Sequence, residues 1–391
     1  MVNVCMIVTN RGHDDPRVCM EAAALAADGR YQVTVLGWDR DADEDATLRQ
    51  QGVTFCRLAV RSTHGRGLTQ AWFLYKFWRR AAEMVRLLAP DVIHCHDFDT
   101  LPAGSSWARK LGAKLVFDAH ENYPDMMMGH LPSSAVACLR RMEKRLLLGS
   151  DLLITVGSRL ADHYRSLGAR EVVVVGNWKN ADAYRFAPRQ VEDKRRELGL
   201  DGKIAVSFVA NLGRECHLEP LMQAVAGDDR FACVIGGEGV LADLARQYSQ
   251  KHANIKYLGH VNPSDVPLIT AACDVIYYGF DCTNPNSRWS APNKLYEAIA
   301  AGKPLLTGDF GEIGYTVRTS GCGVLAATET AAGVQAGLES LSDRRRLETM
   351  GASARQLQVQ FSAAAAARVL VHAYGLLCPR DPLYVLQETR A

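Results

Sequence analysis

Short apolar runs alternate with longer amphipathic stretches along almost the whole chain. The runs are rich in Val and Ile, which favour strands, and the stretches between them have the spacing of helices with one buried face. Strands are predicted over 2–9, 32–38, 53–60, 91–97, 114–120, 152–158, 172–178, 204–211, 232–237, 255–261, 274–280 and 304–309. Helices are predicted from Pro16, around 67–88, from Thr100, around 134–148, from Pro292 and through most of the tail after 330. Because parallel neighbouring strands need crossover helices, this alternation predicts parallel sheets.

The alternation stops at the polar stretch 179–198 and then restarts. We interpret that stretch as a linker, and a chain of 391 residues exceeds the usual size of one domain. The prediction is therefore two Rossmann-like, doubly wound α/β domains facing across a cleft, an N-terminal one over 1–183 and a C-terminal one over 184–360. Residues 361–391 are predicted to form a helical segment that packs back on the N-terminal domain.

The composition is that of a globular protein, with 48% hydrophobic and 23% charged residues and a formal net charge of +2. This charge gives no strong basic field, so a nucleic-acid partner is not predicted. The 11 cysteines include no C-x-x-C pair, which is typical of reduced thiols in a cytosolic enzyme. The first residues resemble a strand more than a signal peptide, and no apolar run reaches the roughly 18–20 residues that span a bilayer. These features predict a cytoplasmic protein.

Ligands of doubly wound domains bind beyond the carboxyl ends of the strands, so the loops there hold the candidate residues. After the first strand, Gly12 would let the backbone approach a ligand, and the helix that opens at Asp15 and Pro16 would attract an anion. A tight turn before a capped helix explains the same residues equally well. The lack of a G-x-G-x-x-G pattern argues against a dinucleotide site.

Histidines end two neighbouring predicted strands. His94, His96 and Asp97 close the first of these strands, and His120 with Glu121 closes the second. Alternate residues of a strand share a face, so His94 and His96 point the same way. We predict that His96 and Asp97 face the cleft, although core histidines are the alternative, and no carboxylate or cysteine spacing supports a zinc site. His120 can bind sugar hydroxyls or exchange protons, unless it is an ordinary loop histidine.

Two loops of the second half carry weaker signals. Asn211 and Arg214 follow its first strand, where a cation beside a helix N-terminus suits a diphosphate and a solvated arginine is the alternative. Gly237 lies in a glycine-rich turn after the next strand. That turn either admits a ligand close to the backbone or simply connects the strand to a helix.

The segment 290–304 carries the strongest signal. Pro292 suits a helix start, the first turn leaves backbone N–H groups free, and Lys294 adds a cation, which together make a cradle for a diphosphate. Glu297 lies one turn further on, where its carboxylate can accept hydrogen bonds from both hydroxyls of a ribose. Gly302 then ends the helix. The alternative is an ordinary capped helix with a solvent-facing glutamate.

This segment, WSAPNKLYEAIAAGKP, resembles the E-G-F-G-L-P-x-x-E-A-M-A-x-G-K-P stretch of the retaining GT-B glycosyltransferases called group one, or family four. The resemblance covers nearly the whole chain, because DPRVCMEAAALA, DVIHCHDFDTLPAG, VFDAHENYPD, VIGGEGVLADL and IKYLGHV follow in the order expected of the family. It implies the GT-B fold and transfer from a UDP- or GDP-linked sugar, without a metal or other cofactor. The acceptor implied is a hydroxyl of a glycan, a lipid-linked molecule or a small molecule.

The resemblance also implies a role for individual residues. The implied donor-binding residues are Gly12, Asn211, Gly237, His260, Val261, Pro292, Asn293, Lys294 and Glu297. Among them Glu297 would bind the ribose, the turn 292–294 would hold the diphosphate, and the backbone at 259–261 would meet the nucleobase. The implied catalytic residues are His120 at the donor sugar, Asp97 near the sugar or the acceptor, and Arg214 beside the departing diphosphate.

The chain departs from the family pattern at two places. The first of the two family glutamates falls on Trp289, as in a subgroup with a PNK-type segment, which leaves the donor sugar undetermined. The usual Arg and Lys after the first strand of the second domain fall near Asn211 and Cys216. Our hypothesis is that Arg214 substitutes for them from a neighbouring position.

Other functions and a membrane location fit the same sequence. A GT-B nucleotide-sugar epimerase would need no acceptor, and a nucleotide-sugar-binding protein without turnover is favoured by Trp289. The helix around 67–88 and the segment CLRRMEKRLLL mix apolar or aromatic residues with basic ones. They can lie on the inner face of an anionic membrane, as a peripheral contact, or pack on the core with solvated basic faces. The oligomeric state is left open.

Overall fold

The computed structural model describes residues 1–62 and 68–379. They form two compact units, one made of Met1–Gly176 with the chain from Ala366 onward, and one made of Asn177–Ala365. The domain boundaries proposed from the sequence, at 183/184 and 360/361, stay a prediction. Position 67 of the predicted helix and positions 380–391 of the predicted terminal segment lie outside the described residues.

The first unit alternates strands and helices from its first residue. Its strands are β1 (Val2–Val8), β2 (Tyr31–Asp39), β3 (Ala46–Gln50), β4 (Val53–Ala59), β5 (Val92–His96), β6 (Lys114–Ala119), β7 (Leu152–Thr155) and β8 (Val172–Val174). Its helices are α1 (Pro16–Ala27), α2 (Leu68–Leu88), α3 (Leu101–Leu111), α4 (Tyr123–Met126), α5 (Ser133–Leu147) and α6 (Ser158–Ser166). Helix α1 begins where the sequence predicts, because the Asp15 carboxylate accepts from the N–H groups of Arg17 and Val18.

The described strands of the first unit make one sheet in the order β3-β4-β2-β1-β5-β6-β7-β8. Every neighbouring pair is parallel except β3 and β4, which form an antiparallel edge. The chain order reverses at β1, because β2 lies on one side of it and β5 on the other. In an open parallel sheet this reversal opens a crevice beyond the carboxyl ends of the two strands that flank it, here β1 and β5.

The second unit repeats the architecture with fewer strands. Its helices are α7 (Pro188–Glu197), α8 (Leu218–Ala226), α9 (Ala242–Lys251), α10 (Val266–Ala272), α11 (Asn293–Ala301), α12 (Gly311–Ser320), α13 (Ala331–Ser340), α14 (Arg344–Gln356) and α15 (Ala363–Leu377). Helix α15 continues from this unit into the first. The strands are β9 (Ile204–Val209), β10 (Phe231–Gly236), β11 (Ile255–Tyr257), β12 (Val275–Tyr278), β13 (Leu305–Thr307) and β14 (Gly323–Leu325). They form a parallel sheet in the order β11-β10-β9-β12-β13-β14, which reverses between β9 and β12.

Both units are parallel α/β sheets of the Rossmann type, so the predicted fold class is confirmed. The predicted linker over 179–198 is wrong in part, because it contains the 3-10 helix Ala181–Tyr184 and the whole of α7. None of the residues of α7 is fully buried, so its sequence lacks the apolar stripe by which a helix is recognised. Strand β3 was missed for a similar reason, since four of its five residues are exposed. Within the described ranges, no helix is long and apolar enough to cross a membrane.

Candidate functional site

In the first unit, Asp97 and His120 meet at the carboxyl edge of the sheet. Asp97 follows β5 and His120 follows β6, and the parallel pairing of these two strands brings their ends together. His120 Nδ1 lies 3.4 Å from Asp97 Oδ2, with 21% of the histidine side chain and 43% of the aspartate side chain exposed. The two residues that sequence analysis named as catalytic in this half are therefore neighbours that solvent can reach.

A buried carboxylate that sequence analysis missed orients the His120 ring. Asp118 Oδ2 lies 2.8 Å from His120 Nε2 and 3.0 Å from His96 Nδ1. The guanidinium of Arg17 binds the same carboxylate through Nε at 3.0 Å and Nη2 at 2.6 Å. Arg17 is itself buried, and its Nη2 lies 3.0 Å from Glu21 Oε1 one turn further along α1. The buried network of Arg17, Glu21, His96 and Asp118 thus fixes one nitrogen of His120 from within the protein.

The carboxylates of this network set the charge of His120. Burial alone would lower the pKa of His120, but Asp118 and Asp97 outweigh burial and raise that pKa to about 9. Burial also opposes ionisation of Asp118, yet Arg17 and His120 hold its pKa well below the usual range. His120 is therefore an imidazolium at neutral pH, which favours a role as a cation or hydrogen-bond donor over that of a general base.

The prediction that His96 faces the cleft is wrong, because its side chain is fully buried. It does share a sheet face with His94, as the strand period requires, and the two rings stack with centroids 4.4 Å apart. That face is covered by α1 and α15: Glu21 Oε2 lies 3.7 Å from His94 Nε2, and the Tyr374 hydroxyl lies 2.7 Å from His94 Nδ1.

Asp97 adopts a backbone conformation that is uncommon for a residue with a side chain. Its φ is 61°, in the left-handed region. The Thr100 hydroxyl braces the turn by donating to the carbonyl of His96 at 2.8 Å and to that of Asp97 at 3.2 Å. Such strained residues concentrate at functional sites, and here the strain turns the Asp97 carboxylate away from the strand toward His120.

The local structure alone requires a glycine at position 12. Its φ is 73°, and a Cβ atom there would come within 2.9 Å of Val35 Cγ1. Its N–H donates to Asn10 Oδ1 at 2.8 Å. The tight-turn interpretation therefore accounts for Gly12 in this structure, and its donor contact stays a prediction.

In the second unit, the loops after β9 and β10 hold the weaker candidates. Asn211 and Arg214 are both exposed. A Cβ at Gly237 would come within 1.9 Å of Ala210 O, so the close packing of these two loops already requires glycine. The exposed His260 lies 3.4 Å from Glu238 through Nδ1 and Oε2, and it precedes Val261, which is partly buried.

Helix α11 forms the best-defined part of the second unit's site. Pro292 is its N-cap residue, and Gly302 ends it in the left-handed conformation with φ 62°. Lys294 and Glu297 are both buried and form an ion pair one turn apart, between Nζ and Oε2. The alternative of a solvent-facing glutamate is therefore wrong, and Lys294 is coupled to Glu297 rather than being an isolated cation.

A second lysine stands beside the start of α11. Lys179 donates to Asn293 Oδ1 at 2.9 Å. Burial lowers the pKa of Lys179, with the charge of Glu297 opposing that shift and the charge of Lys294 adding to it. Sequence analysis placed Lys179 in a linker and missed it, because no local spacing connects it to a helix more than 100 positions away.

A cavity of about 430 Å³ opens beyond the carboxyl ends of β12, β13 and β14 in the same unit. Phe280, Cys282, Asp309, Phe310 and Thr328 are among the residues that line it. This is the edge of a parallel sheet where ligands bind in doubly wound proteins. No motif in the sequence predicts the cavity, since its walls come from three separate loops.

Two α/β units with charged residues at the carboxyl ends of their strands define a doubly wound α/β protein of two units. Residues 15–178 match the family described as glycosyl transferase 4-like domain, and residues 190–357 match the family described as glycosyl transferases group 1. These two matches cover most of the chain, which therefore belongs to the group 1 glycosyltransferases.

Individual relatives agree with the family. Glycogen synthase of Mycobacterium tuberculosis is 24% identical over 265 residues, which are 65% of this chain and 60% of that protein. The match thus spans about three fifths of the length of that relative. Among solved structures, sucrose-phosphate synthase from Thermosynechococcus elongatus superposes with a TM-score of 0.77 at 16% identity, over 96% of this chain and 99% of that one. Anabaena HepE in complex with UDP and glucose superposes with a TM-score of 0.71 at 16% identity, over 96% of this chain and 100% of that one. These structural likenesses show the GT-B fold.

Proposed function

We propose that the protein is a retaining glycosyltransferase that moves a sugar from a UDP- or GDP-linked donor to a hydroxyl of a glycan, lipid-linked or small-molecule acceptor. The observation that carries this proposal is the buried Glu297 carboxylate behind the N-terminus of α11, with Lys294 and Lys179 beside it. A carboxylate in this place suits the two hydroxyls of a ribose, and a helix N-terminus with two cations suits a diphosphate. Family membership supports the same reaction.

The departing diphosphate needs positive charge as its bond to the sugar breaks. We assign that task to Lys294, to the first turn of α11 and to Arg214 in the exposed loop after β9. No resident metal is proposed for this step, because these groups supply the charge. The departing phosphate oxygen would take the proton of the acceptor hydroxyl on the same face of the sugar, which accounts for retention. On the acceptor side, the His120 imidazolium and Asp97 would contact the donor sugar and the acceptor.

We also place the chain in a subgroup with a PNK-type segment, Pro292-Asn293-Lys294. Trp289 stands at the position of the first family glutamate, and its ring lies 5.3 Å from the Arg288 guanidinium. An indole cannot accept the hydrogen bond that a carboxylate accepts. The sugar hydroxyl that the family glutamate would bind therefore needs another partner. The first questions to test are whether the donor sugar has an unusual stereochemistry and whether the protein has any turnover at all.

The donor half of the proposal can be tested by thermal shift with UDP-, GDP- and dTDP-sugars. A ligand that binds the folded state raises the melting temperature by mass action, and one nucleotide series should do so more than the others. The Glu297→Gln variant keeps the shape of the side chain and should abolish the shift. Equal melting temperatures with and without every donor would contradict the proposed donor site.

The transfer half needs a product. With the stabilising donor and a panel of sugar and lipid-linked acceptors, proton NMR of the product should show the anomeric configuration of the donor. Incubating the donor alone separates the other candidates, because an epimerase would convert it to an epimer. A binding protein would leave it unchanged with every acceptor, a result that Trp289 makes worth checking.

We further propose that the protein works at an anionic membrane surface as a peripheral, cytoplasmic enzyme. Helix α2 exposes Trp72 at 57% and Tyr75 at 47%, and Lys76 Nζ lies 5.4 Å from the centroid of the Trp72 ring. Helices α2 and α5 each carry four basic residues and one acidic residue, and α3 carries two basic residues and no acidic one. The net charge of the whole chain is only +2, so these helices are more basic than the chain as a whole. Aromatic rings beside basic side chains suit the interface of a bilayer that bears negative charge.

Vesicle flotation tests this location. Vesicles of phosphatidylcholine with phosphatidylserine should carry the protein, whereas vesicles of phosphatidylcholine alone should not. The variant Trp72→Ala should reduce the floated fraction, and Tyr315→Ala, which removes an exposed aromatic residue of the second unit, is the matched control. Equal flotation with both lipid mixtures, or none with either, would contradict the proposal.

A further inference from the structure

Several buried polar side chains of the first unit lie close together, and some of their atoms have no hydrogen-bond partner. Among the described residues, eight buried side-chain nitrogen and oxygen atoms have no hydrogen bond, and three of them are Glu21 Oε2, His94 Nε2 and His96 Nε2. Glu21 Oε1 is a fourth, but it has an ion-pair contact with Arg17 Nη2 at 3.0 Å. Folded proteins rarely leave buried polar groups unsatisfied, and a local cluster of them indicates a bound ion or water. The cluster lies under β5, on the face covered by α1 and α15, away from the exposed side of Asp97.

The geometry of the cluster is that of ligands around a small cation. Glu21 Oε2 and His94 Nε2 are 3.7 Å apart. Ligand atoms offered by Glu21, His94, His96 and Asp118 all lie within 4.8 Å of one another. A tetrahedral zinc ion with bonds of about 2.1 Å holds neighbouring ligand atoms roughly 3.4 Å apart. The Glu21–His94 pair is close to that spacing, and the widest pairs of the cluster must draw together by up to about 1.4 Å when an ion binds.

The outer nitrogen of each histidine is already held by the protein. His94 Nδ1 lies 2.7 Å from the Tyr374 hydroxyl, and His96 Nδ1 lies 3.0 Å from Asp118 Oδ2. Histidines that bind a metal typically engage the other ring nitrogen in this way, which fixes the ring and leaves Nε2 with its lone pair inward.

The charges around the cluster permit one divalent cation. Arg17 is the nearest positive group, and it is shared between Asp118 and Glu21, with Nη2 at 2.6 Å from Asp118 Oδ1 and 3.0 Å from Glu21 Oε1. His120 is the second cation, on Asp118, and Asp97 is its other carboxylate partner, so three carboxylates face two cations and exceed them by one negative charge. Arg17 holds one oxygen of Glu21 and leaves the other oxygen, Oε2, directed toward His94.

We propose that Glu21 Oε2, His94 Nε2 and His96 Nε2 bind one zinc-type divalent metal ion, with Asp118 as the outer partner that orients His96. Two imidazoles and one carboxylate are a ligand set that zinc accepts. The ion joins β5 to α1 and, through Tyr374, to helix α15, so its role is structural. It takes no part in the proposed sugar transfer, and either proposal can fail without the other.

The competing occupant is a proton. Burial raises the pKa of Glu21 to about 7, with Arg17 opposing, and the proton of a neutral Glu21 would be directed toward His94 Nε2, which lies 3.7 Å from Oε2. Sequence analysis found no carboxylate spacing for zinc near His94 and His96, because Glu21 comes from a helix more than 70 positions earlier in the chain.

Metal analysis of the full chain decides between the two occupants. Protein made in zinc-supplemented medium and purified without an affinity metal should carry about one zinc ion per chain by mass spectrometry. Removal by 1,10-phenanthroline should lower the melting temperature by roughly 5 °C or more, and added zinc chloride should restore it. Zinc below about a tenth of an equivalent, with no response to added zinc, would overturn the proposal, and this arm needs no variant to fold.

Variants locate the ion. Glu21→Gln and His94→Gln should each lower zinc affinity by at least about 10-fold, whereas Glu143→Gln should leave the zinc content unchanged. Glu143 is the matched control because it is another buried glutamate of the first unit whose pKa is raised to about 7. Cobalt in place of zinc gives a visible absorption band, and its loss in Glu21→Gln identifies the ligand by a readout other than stability. A Glu21→Gln protein that folds and keeps its zinc would place the ion elsewhere and overturn the assignment.

Discussion

The candidate sites of the two units neutralise their buried carboxylates in different ways. Asp118 of the first unit is fully buried, and its oxygens are contacted by Arg17, His96 and His120. Glu297 of the second unit is also buried, and within residues 1–62 and 68–379 its ion pair is with Lys294, on the same helix. A carboxylate with several protein partners is complete without a ligand, whereas one with a single partner has acceptor capacity left for a ligand.

The difference separates structure from binding. Removing Asp118 would leave a buried guanidinium without its main partner, and breaking a buried ion pair from one side is costly. Removing Glu297 would remove the acceptor proposed for the ribose hydroxyls. The start of its helix is open to a ligand, since the first residue, Asn293, is exposed. We therefore expect substitutions around Asp118 to change mainly the stability of the protein. Substitutions around Glu297 should change mainly its affinity for a nucleotide.

The largest effect is expected from Asp118→Ala. The variant should lower the free energy of unfolding of the first unit by about 3–5 kcal/mol, because Arg17 stays buried without a carboxylate. Urea unfolding followed by circular dichroism measures this change. Asp162→Ala is the control, since it removes an exposed ion pair with Arg165 in the same unit and should leave the unfolding curve unchanged. Similar curves for both aspartate variants would remove the distinction between the two clusters.

Next in size is the effect of Glu297→Ala on nucleotide affinity. Loss of the ribose acceptor, together with an unpaired Lys294, should weaken binding of the preferred nucleoside diphosphate about 100-fold. Isothermal titration calorimetry measures it, with Glu339→Ala, an exposed glutamate of the same unit, as the control. Unchanged affinity in Glu297→Ala would refute its role as the ribose ligand.

A smaller effect is expected from His120→Ala, and it should appear in turnover. Its imidazolium is held between Asp118 and Asp97 on the exposed side of the network. Losing this cation should lower kcat roughly 30-fold while nucleoside-diphosphate affinity stays within about 2-fold. Single-turnover assays with the preferred donor measure kcat, and His130→Ala removes an exposed histidine of the same unit as a control. Equal turnover in His120→Ala would exclude a contact with the reacting sugar.

The fold could be predicted from the sequence because its signals are local. Val- and Ile-rich runs mark the strands of both units, and the Asp15 cap and the Gly302 stop mark helix ends that the structure reproduces. Glu297 could be predicted for the same reason, since the helix start, the lysine and the glutamate lie within the first two turns of one helix. Helix α7 and strand β3 were missed because exposed elements leave little hydrophobic periodicity.

The partners of the candidate residues could not be predicted, because they come from distant parts of the chain. Arg17 reaches Asp118 across 101 positions, and Lys179 reaches Asn293 across 114. One signal was available: Asp118 lies two positions before His120, and alternate residues at the end of a strand share a face. The burial of His96 had no such signal, since it depends on α1 and α15 covering the strand.

Glu143 differs from Asp118 and Glu297 because it is a buried carboxyl group that has no buried cation as a partner among the described residues. It accepts from the Tyr164 hydroxyl at 3.2 Å, and burial raises its pKa to about 7, with that hydrogen bond opposing. Because this pKa lies above the ordinary value of 4.5, the folded state holds the proton more tightly, and the wild-type protein loses stability as pH rises from 4.5 to about 7.

Glu143→Gln should therefore be the stabilising substitution of the set, and only at the higher pH. Glutamine keeps an acceptor for Tyr164 and never ionises, so the variant should exceed the wild type by up to about 3 kcal/mol at pH 8 and match it near pH 4.5. Urea unfolding at the two pH values measures the difference. A stability gain that is the same at both would mean that Glu143 acts through packing instead of charge. In that case, the presence or absence of a buried cation would not explain why substitutions at Asp118 and Glu143 change stability in opposite directions.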